Sequence, residues 1–121
     1  MRRYKQELGR QGEDKAAEFL TGKGFLVLER NYRYGHKEID LVARDGNTIV
    51  FVEVKAGRSK SFGAPEERVN HRKQKNLIQA AQHYIQEQEI SGCDFRFDVL
   101  ALSYGKEEEV IDHIRNAFMV T

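Results

Sequence analysis

The stretch that decides the fold runs from Glu38 to Lys55, EIDLVARDGNTIVFVEVK. Its second half, Thr48 to Lys55, is apolar on both faces from Ile49 to Val52, as a strand in the middle of a sheet must be. Its first half, Glu38 to Arg44, alternates in the manner of a strand, and Asp45-Gly46-Asn47 between them supplies a turn. Charged residues rarely enter so apolar a segment unless they are partnered or used, which makes Glu53-Val54-Lys55 its informative part. Alternation puts Glu53 and Lys55 on one face. A hairpin turning on Gly46-Asn47 sets Asp40 directly opposite Glu53; one turning on Asp45-Gly46 sets Glu38 there and leaves Asp40 a diagonal neighbour. Both registers keep Asp40, Glu53 and Lys55 on one face, whereas a three-residue loop without a bulge turns Asp40 away.

Two carboxylates at cross-strand distance repel each other, and a shared cation or a nearby ammonium is the simplest relief. An oxygen-rich site of this kind suits Mg²⁺ or Mn²⁺. Lys55 beside it can orient or help deprotonate an attacking water, because the lysine pKa responds to its surroundings. The chemistry fits phosphodiester hydrolysis. A third acid, Glu13, lies upstream on a helical stripe with Gly9, Gly12, Ala16 and Leu20, whose small residues allow close approach to a sheet. Lys73, set between Val69 and Leu77 with Gln74 beside it, and the basic residues Arg58 and Lys60 are candidate contacts to a nucleic-acid backbone. Taken alone, Glu-x-Lys on a strand commonly reads as a surface ion pair, Glu13 as a solvated helix acid, Lys73 as a snorkelling or pairing residue, and Arg58 to Lys60 equally as a solvated linker. The combination is what restricts the reading to a metal-type site.

Outward from this hairpin, Lys5 to Lys23 carries a helical pattern closed by Gly22 and Gly24, and Phe25 to Arg33 reads as a strand, with Gly35 and His36 loosening the chain after it. Downstream, Gly57 to Gly63 reads as a flexible basic loop. Pro65 suits the first turn of a second helical region, and Asn70 can cap its main part. Val69, Lys73, Leu77, Ala80, Ala81 and Tyr84 trace one stripe to about Glu87. Phe95 to Leu102 and Val110 to Ile114 make two more strands, and Asp98 in the first is expected to be a buried partner for an arginine. The order is α-β-β-β-α-β-β, which predicts an α/β fold with a mixed central sheet flanked by helices.

A chain of 121 residues, 40% hydrophobic and 32% charged, fits one domain over residues 1–121, with no repeat or proline-rich linker to divide it. Twenty basic residues against 19 acidic ones leave a net charge of +1, so any phosphate-binding face is local. The single cysteine, Cys93, has no internal disulfide partner and the four histidines show no zinc spacing. With no apolar signal in Met1 to Leu8 and no span of membrane length, the expected location is the cytoplasm, with no membrane partner.

The runs Gly9 to Ala17 (GRQGEDKAA), Arg30 to Arg33 (RNYR), Glu38 to Ala43 (EIDLVA), Val52 to Lys55 (VEVK), Phe62-Gly63 and Arg96 to Val99 (RFDV) together resemble the YraN-type family of uncharacterised bacterial proteins over nearly the whole chain. That family is similar in fold to archaeal Holliday-junction resolvases of the PD-(D/E)XK nuclease superfamily. The resemblance implies a restriction-endonuclease-like fold in which Glu13, Asp40, Glu53 and Lys55 occupy the catalytic motif positions. It also implies a divalent metal held by Asp40, Glu53 and the Val54 carbonyl, with Glu13 in support. Lys37 stands where the family usually has glycine, and Ala56-Gly57-Arg58 replaces its usual Thr-Arg pair, both in segments near a substrate. The expected function is a Mg²⁺- or Mn²⁺-dependent DNA endonuclease, selective for branched structures. The alternative is a non-catalytic nucleic-acid-binding or protein-binding module on the same scaffold. The face of Phe95 to Leu102, or the last strand, is a candidate homodimer surface.

Overall fold

The structure, a computed structural model, describes residues 2–58, 69–104 and 109–119; residues 2–9, Arg58 and Tyr104 are described by their backbone alone. Helix α1 spans Arg2–Gly22, strands β1, β2 and β3 span Leu26–Tyr34, Lys37–Asp45 and Thr48–Arg58, helix α2 spans His71–Glu87, and β4 and β5 span Asp94–Tyr104 and Glu109–Phe118. This is the α-β-β-β-α-β-β order read from the periodicity. The strands form one mixed sheet in chain order, β1 to β5. All neighbours are antiparallel except β3 and β4, which run parallel because α2 carries the chain back between them.

Both hairpins have two-residue loops. Asp45 pairs with Thr48 across Gly46-Asn47, and Tyr34 pairs with Lys37 across Gly35-His36. Gly46 has φ +61 and Gly35 has φ +63, and positive φ at the first loop position alone is the type II′ pattern that follows strand twist. The first of the two registers weighed above is therefore the one formed.

The helices cover opposite faces of the sheet. Ala16 and Leu20 of α1 pack with Phe25, Leu41, Val50, Val52, Leu100 and Leu102. Leu77, Ala80, Ala81 and Tyr84 of α2 pack with Ile39, Val42, Phe51, Phe97 and Val99. Phe51 anchors the second layer, with its ring 5.4 Å from that of Phe97 and 6.0 Å from that of Tyr84. Asn70 caps α2 as expected, its side chain accepting from the Lys73 N–H at 2.9 Å. Strand β5 runs to Phe118, four residues beyond the Ile114 expected from alternation, because Phe118 stacks on Phe97 across a bulge in β5 at Asn116, φ +51. The expected turn at Pro65 lies outside the described residues.

Asp98 is one of two acids buried among the described residues, Glu53 being the other. Arg96 reaches Asp98 with Nε at 3.0 Å, His113 Nε2 lies 2.8 Å away and the Asn116 N–H donates at 3.1 Å. Asp98 is thus the arginine-bound acid that the sequence suggested, and each of its oxygens has a partner. Burial pushes its pKa up, but the bonds from His113, Arg96 and Asn116 outweigh burial and leave it lowered. Removing one partner of such a network strands the others. Asp98→Ala is therefore expected to cost about 3–5 kcal/mol in urea unfolding, while Val110→Ala, at a half-exposed position, is expected to change stability by less than about 0.5 kcal/mol.

Candidate active site

The acids gather where β2 and β3 part. Their ladder runs from Asp45–Thr48 to Leu41–Val52, and one step further places Asp40 opposite Glu53. At that step the Asp40 carboxylate enters the ladder: its Oδ2 accepts the Val54 N–H at 2.8 Å. Ile39 packs on the α2 side and Leu41 on the α1 side, so side-chain alternation slips across Asp40. Its carboxylate therefore lies between the two faces and is reached from both. In an extended strand a residue's N–H and C=O project toward the same edge, so the Val54 carbonyl faces the same fork.

From the α1 side comes Glu13. With Glu38 and Asp40 it forms a group whose nearest carboxylate oxygens all lie within 4.8 Å of one another. Asn31 holds part of this group together. The β1–β2 register, Arg30 opposite Leu41 and Tyr32 opposite Ile39, puts Asn31 across from Asp40, and Asn31 adopts a left-handed backbone with φ +55, a conformation that asparagine tolerates better than most residues. With its amide nitrogen turned to the acids, it donates at 3.0 Å to Glu13 and at 3.0 Å to Glu38 Oε1. Glu38 and Asn31 were not singled out from sequence. The signals were there: Glu38 lies two residues before Asp40 on the same strand, and asparagine is depleted in strands unless a special conformation calls for it.

From the α2 side comes Glu53, only 5% exposed. Its Oε1 lies 3.5 Å from Lys73 Nζ and 3.7 Å from Lys55 Nζ. Its Oε2 is buried and, among the described residues, has no hydrogen-bond partner. Lys73 thus pairs with the acid while its own side chain stays 41% exposed, and the amide of Gln74 donates to the Val69 carbonyl at 2.8 Å. The Arg58 side chain and all of Lys60 lie outside the described residues.

The electrostatics reflect crowding of like charge in a dry place. Burial, then repulsion from Asp40, pushes Glu53 up to about 7, against the pull of Lys73 and Lys55. Asp40 is raised chiefly by burial, with Glu38 adding to the effect and the Val54 hydrogen bond, Lys73 and Lys55 opposing it. Glu13 is raised by burial and by Asp40, with Asn31 and Arg30 opposing. Convergent acids with raised pKa values, a backbone carbonyl facing them and an orphaned buried carboxylate oxygen fit a hard divalent cation. Asp40, Glu13, Glu53 and the Val54 carbonyl could hold one, with Glu38 as a further ligand.

Glu53 also links stability to pH. The folded protein keeps this proton up to about pH 7, whereas an ordinary glutamate releases it near 4.5, so the folded state binds more protons than the unfolded one between those values. Stability then falls as pH rises through that window, by on the order of 3 kcal/mol. Thermal or urea unfolding in EDTA should show wild type losing this amount relative to Glu53→Gln between about pH 5 and pH 8. Parallel pH profiles for the two proteins would remove Glu53 as the source.

Comparison with known proteins places this arrangement in a lineage. The profile of a family described as "Uncharacterised protein family UPF0102" matches residues 12–102, which include Glu13, Asp40, Glu53, Lys55 and Lys73. A UPF0102 protein of Caldicellulosiruptor saccharolyticus is 46% identical over 116 residues, covering 94% of this chain and 98% of the relative. One from Chlorobium chlorochromatii is 48% identical over 122 residues, covering 94% and 92%, and one from Alkaliphilus metalliredigens is 45% identical over 113 residues, covering 93% and 98%. Similarity of this depth along almost the full length of each relative means that the chain belongs to family UPF0102.

Proposed function

We propose that this protein is a Mg²⁺- or Mn²⁺-dependent endonuclease that hydrolyses phosphodiester bonds in DNA, selective for branched or otherwise distorted structures and working in the cytoplasm. The observation that carries the reading is the pairing of an under-satisfied acid fork with two ammonium groups: Glu13, Glu38 and Asp40 converge, and Glu53 Oε2 lies buried without a partner beside Lys55 and Lys73. Asp40, Glu53, Glu13 and the Val54 carbonyl are the groups that would hold the ion. When bound, a divalent cation supplies Lewis-acid polarisation of a phosphodiester oxygen and offsets charge during in-line displacement.

The chain's own residues do the positioning. Lys55, its side chain one-third exposed beside Glu53, donates a hydrogen bond to the attacking water and holds it in line with the phosphorus. A P–O bond forms to that water as the P–O3′ bond breaks, the water's proton leaves to solvent and the 3′ oxygen takes one up. The products are a 5′-phosphate and a 3′-hydroxyl. Lys73, at the start of α2, offsets the charge of Glu53 and is placed to meet a strand's phosphate. Asn31 fixes Glu13 and Glu38 before anything binds. Family membership adds no activity of its own, because the relatives carry only the UPF0102 name.

One observation favours a second reading: Glu53 Oε1 lies beside two lysines, as it would in a scaffold that binds nucleic acid without cutting it. A cleavage assay on supercoiled plasmid and branched DNA with Mn²⁺ separates the two. The endonuclease reading expects products that disappear with EDTA and fall by at least about 100-fold in Asp40→Asn, Glu53→Gln and Lys55→Ala, with a loss on the order of tenfold in Asn31→Ala. Cleavage unchanged by Glu53→Gln and Lys55→Ala would overturn the mechanism. Salt-sensitive DNA binding without cleavage or Mn²⁺ affinity would favour the scaffold reading.

A further inference from the structure

We propose that the cavity between the end of the β1–β2 hairpin and the exposed side of α2 is a subsite for an unpaired nucleobase of a DNA strand engaged at the acid fork. The proposal rests on the nucleic-acid reading above and adds the form of the substrate: a strand with at least one base outside the duplex. The cavity encloses about 640 Å³ and is lined by Tyr34, Lys37, Gln79, Gln82, His83 and Gln86, a size within the usual range for small-molecule and cofactor sites. Lys37 gives the described lining a cation, and Glu87, one turn after His83 on α2, lies 4.0 Å from His83 Nδ1.

Its centre is an aromatic stack. The Tyr34 and His83 rings lie 4.2 Å apart with an interplanar angle of 17°, and Tyr34 remains 41% exposed. The stack is rigid from below: the buried Tyr32 hydroxyl bonds His83 Nδ1, and the Tyr32 ring packs edge-on against Tyr84 in the core. A platform held in this way loses little freedom when a base adds to it. Bases stack on aromatic rings whatever their identity, and their polar edges need both donors and acceptors. The amides of Gln79, Gln82 and Gln86 offer both. Lys37 Nζ lies over the Tyr34 ring, 5.4 Å from its centre, by cation–π attraction; because His83 stacks on one face of that ring, a base that reaches the other displaces the Lys37 ammonium toward its own phosphate. A base-paired duplex hides its base faces, so this chemistry selects a strand that is flipped, frayed or branched.

The subsite also connects to the fork. Lys37 directly precedes Glu38 on β2, and His83 lies on the same helix as Lys73, about 15 Å further along at helical rise. A strand whose phosphate sits beside Lys73 therefore reaches Tyr34 within a few nucleotides. The three glutamines fall on the side of α2 away from its buried residues Leu77, Ala80, Ala81 and Tyr84, which keeps them free for such a strand.

The test is fluorescence anisotropy with a labelled oligothymidine and a blunt duplex of equal length, using the full chain in EDTA at low salt. Wild type is expected to bind the single strand, and Tyr34→Leu to weaken that binding about tenfold while changing duplex affinity less than about twofold. Tyr34→Phe should bind like wild type because it keeps the ring. Lys37→Ala should flatten the salt dependence of single-strand binding by about 0.7 in log–log slope. Equal single-strand affinity for wild type and Tyr34→Leu, a parallel loss on duplex, or no single-strand binding by wild type would overturn the subsite. The assay contains no metal and reads no cleavage. A protein that binds through Tyr34 and never cuts removes the endonuclease reading alone, and a protein that cuts and binds independently of Tyr34 removes this inference alone.

Discussion

One hydrogen bond decides where the acids of this fold meet: the Val54 N–H given to the Asp40 carboxylate at 2.8 Å. A backbone donor in the middle of a sheet normally meets a backbone carbonyl, and leaving it unmet inside the protein would cost roughly 1–3 kcal/mol. Here a side chain takes that place, and the substitution has two effects. It satisfies Val54 where β2 and β3 separate, and it pins Asp40 between the sheet's faces. Glu13 then approaches from the α1 side and Glu53 from the α2 side. The converging group is Glu13, Glu38 and Asp40; Glu53 is not part of it and meets it through its repulsion with Asp40.

The two buried acids show how differently one sheet treats the same chemical group. Asp98 is saturated by Arg96, His113 and Asn116, which overcome the effect of burial and lower its pKa. It behaves as mortar between β4 and β5. Glu53 is equally inaccessible yet has one oxygen without a partner, and burial with Asp40 nearby drives it up to about 7. A protein selected for stability alone has simple remedies for such a defect, a glutamine or an apolar residue among them. An under-satisfied buried acid beside a group of converging carboxylates is the pattern expected where stability is exchanged for binding a cation.

Much of this was legible in the sequence because it follows from period and parity. The apolar run Ile49 to Val52 marks a central strand, and a two-residue hairpin at Gly46-Asn47 sets Asp40 against Glu53 through arithmetic alone. The Leu77, Ala80, Ala81 and Tyr84 stripe and the Asn70 cap were equally visible. Other features depend on three-dimensional closure. That α1 and α2 lie on opposite faces follows from sheet topology, which a pattern of apolar residues does not specify. The inclusion of Glu38 depends on a slip in alternation at Asp40 and on the left-handed turn at Asn31, both departures from the regular strand on which sequence reasoning relies. The length of β5 depends on Phe118 finding Phe97, a contact distant in the chain.

The proposed role of the fork, holding a divalent cation, is open to a binding measurement. Isothermal titration of the protein with Mn²⁺ at neutral pH, repeated in buffers of different ionisation enthalpy, addresses it most directly. Because Glu53, Asp40 and Glu13 hold their protons more tightly than ordinary acids, binding should release protons, strengthen as pH rises through about 7, and vanish in Asp40→Asn. A flat titration at millimolar Mn²⁺, or binding that Asp40→Asn leaves untouched, would contradict it.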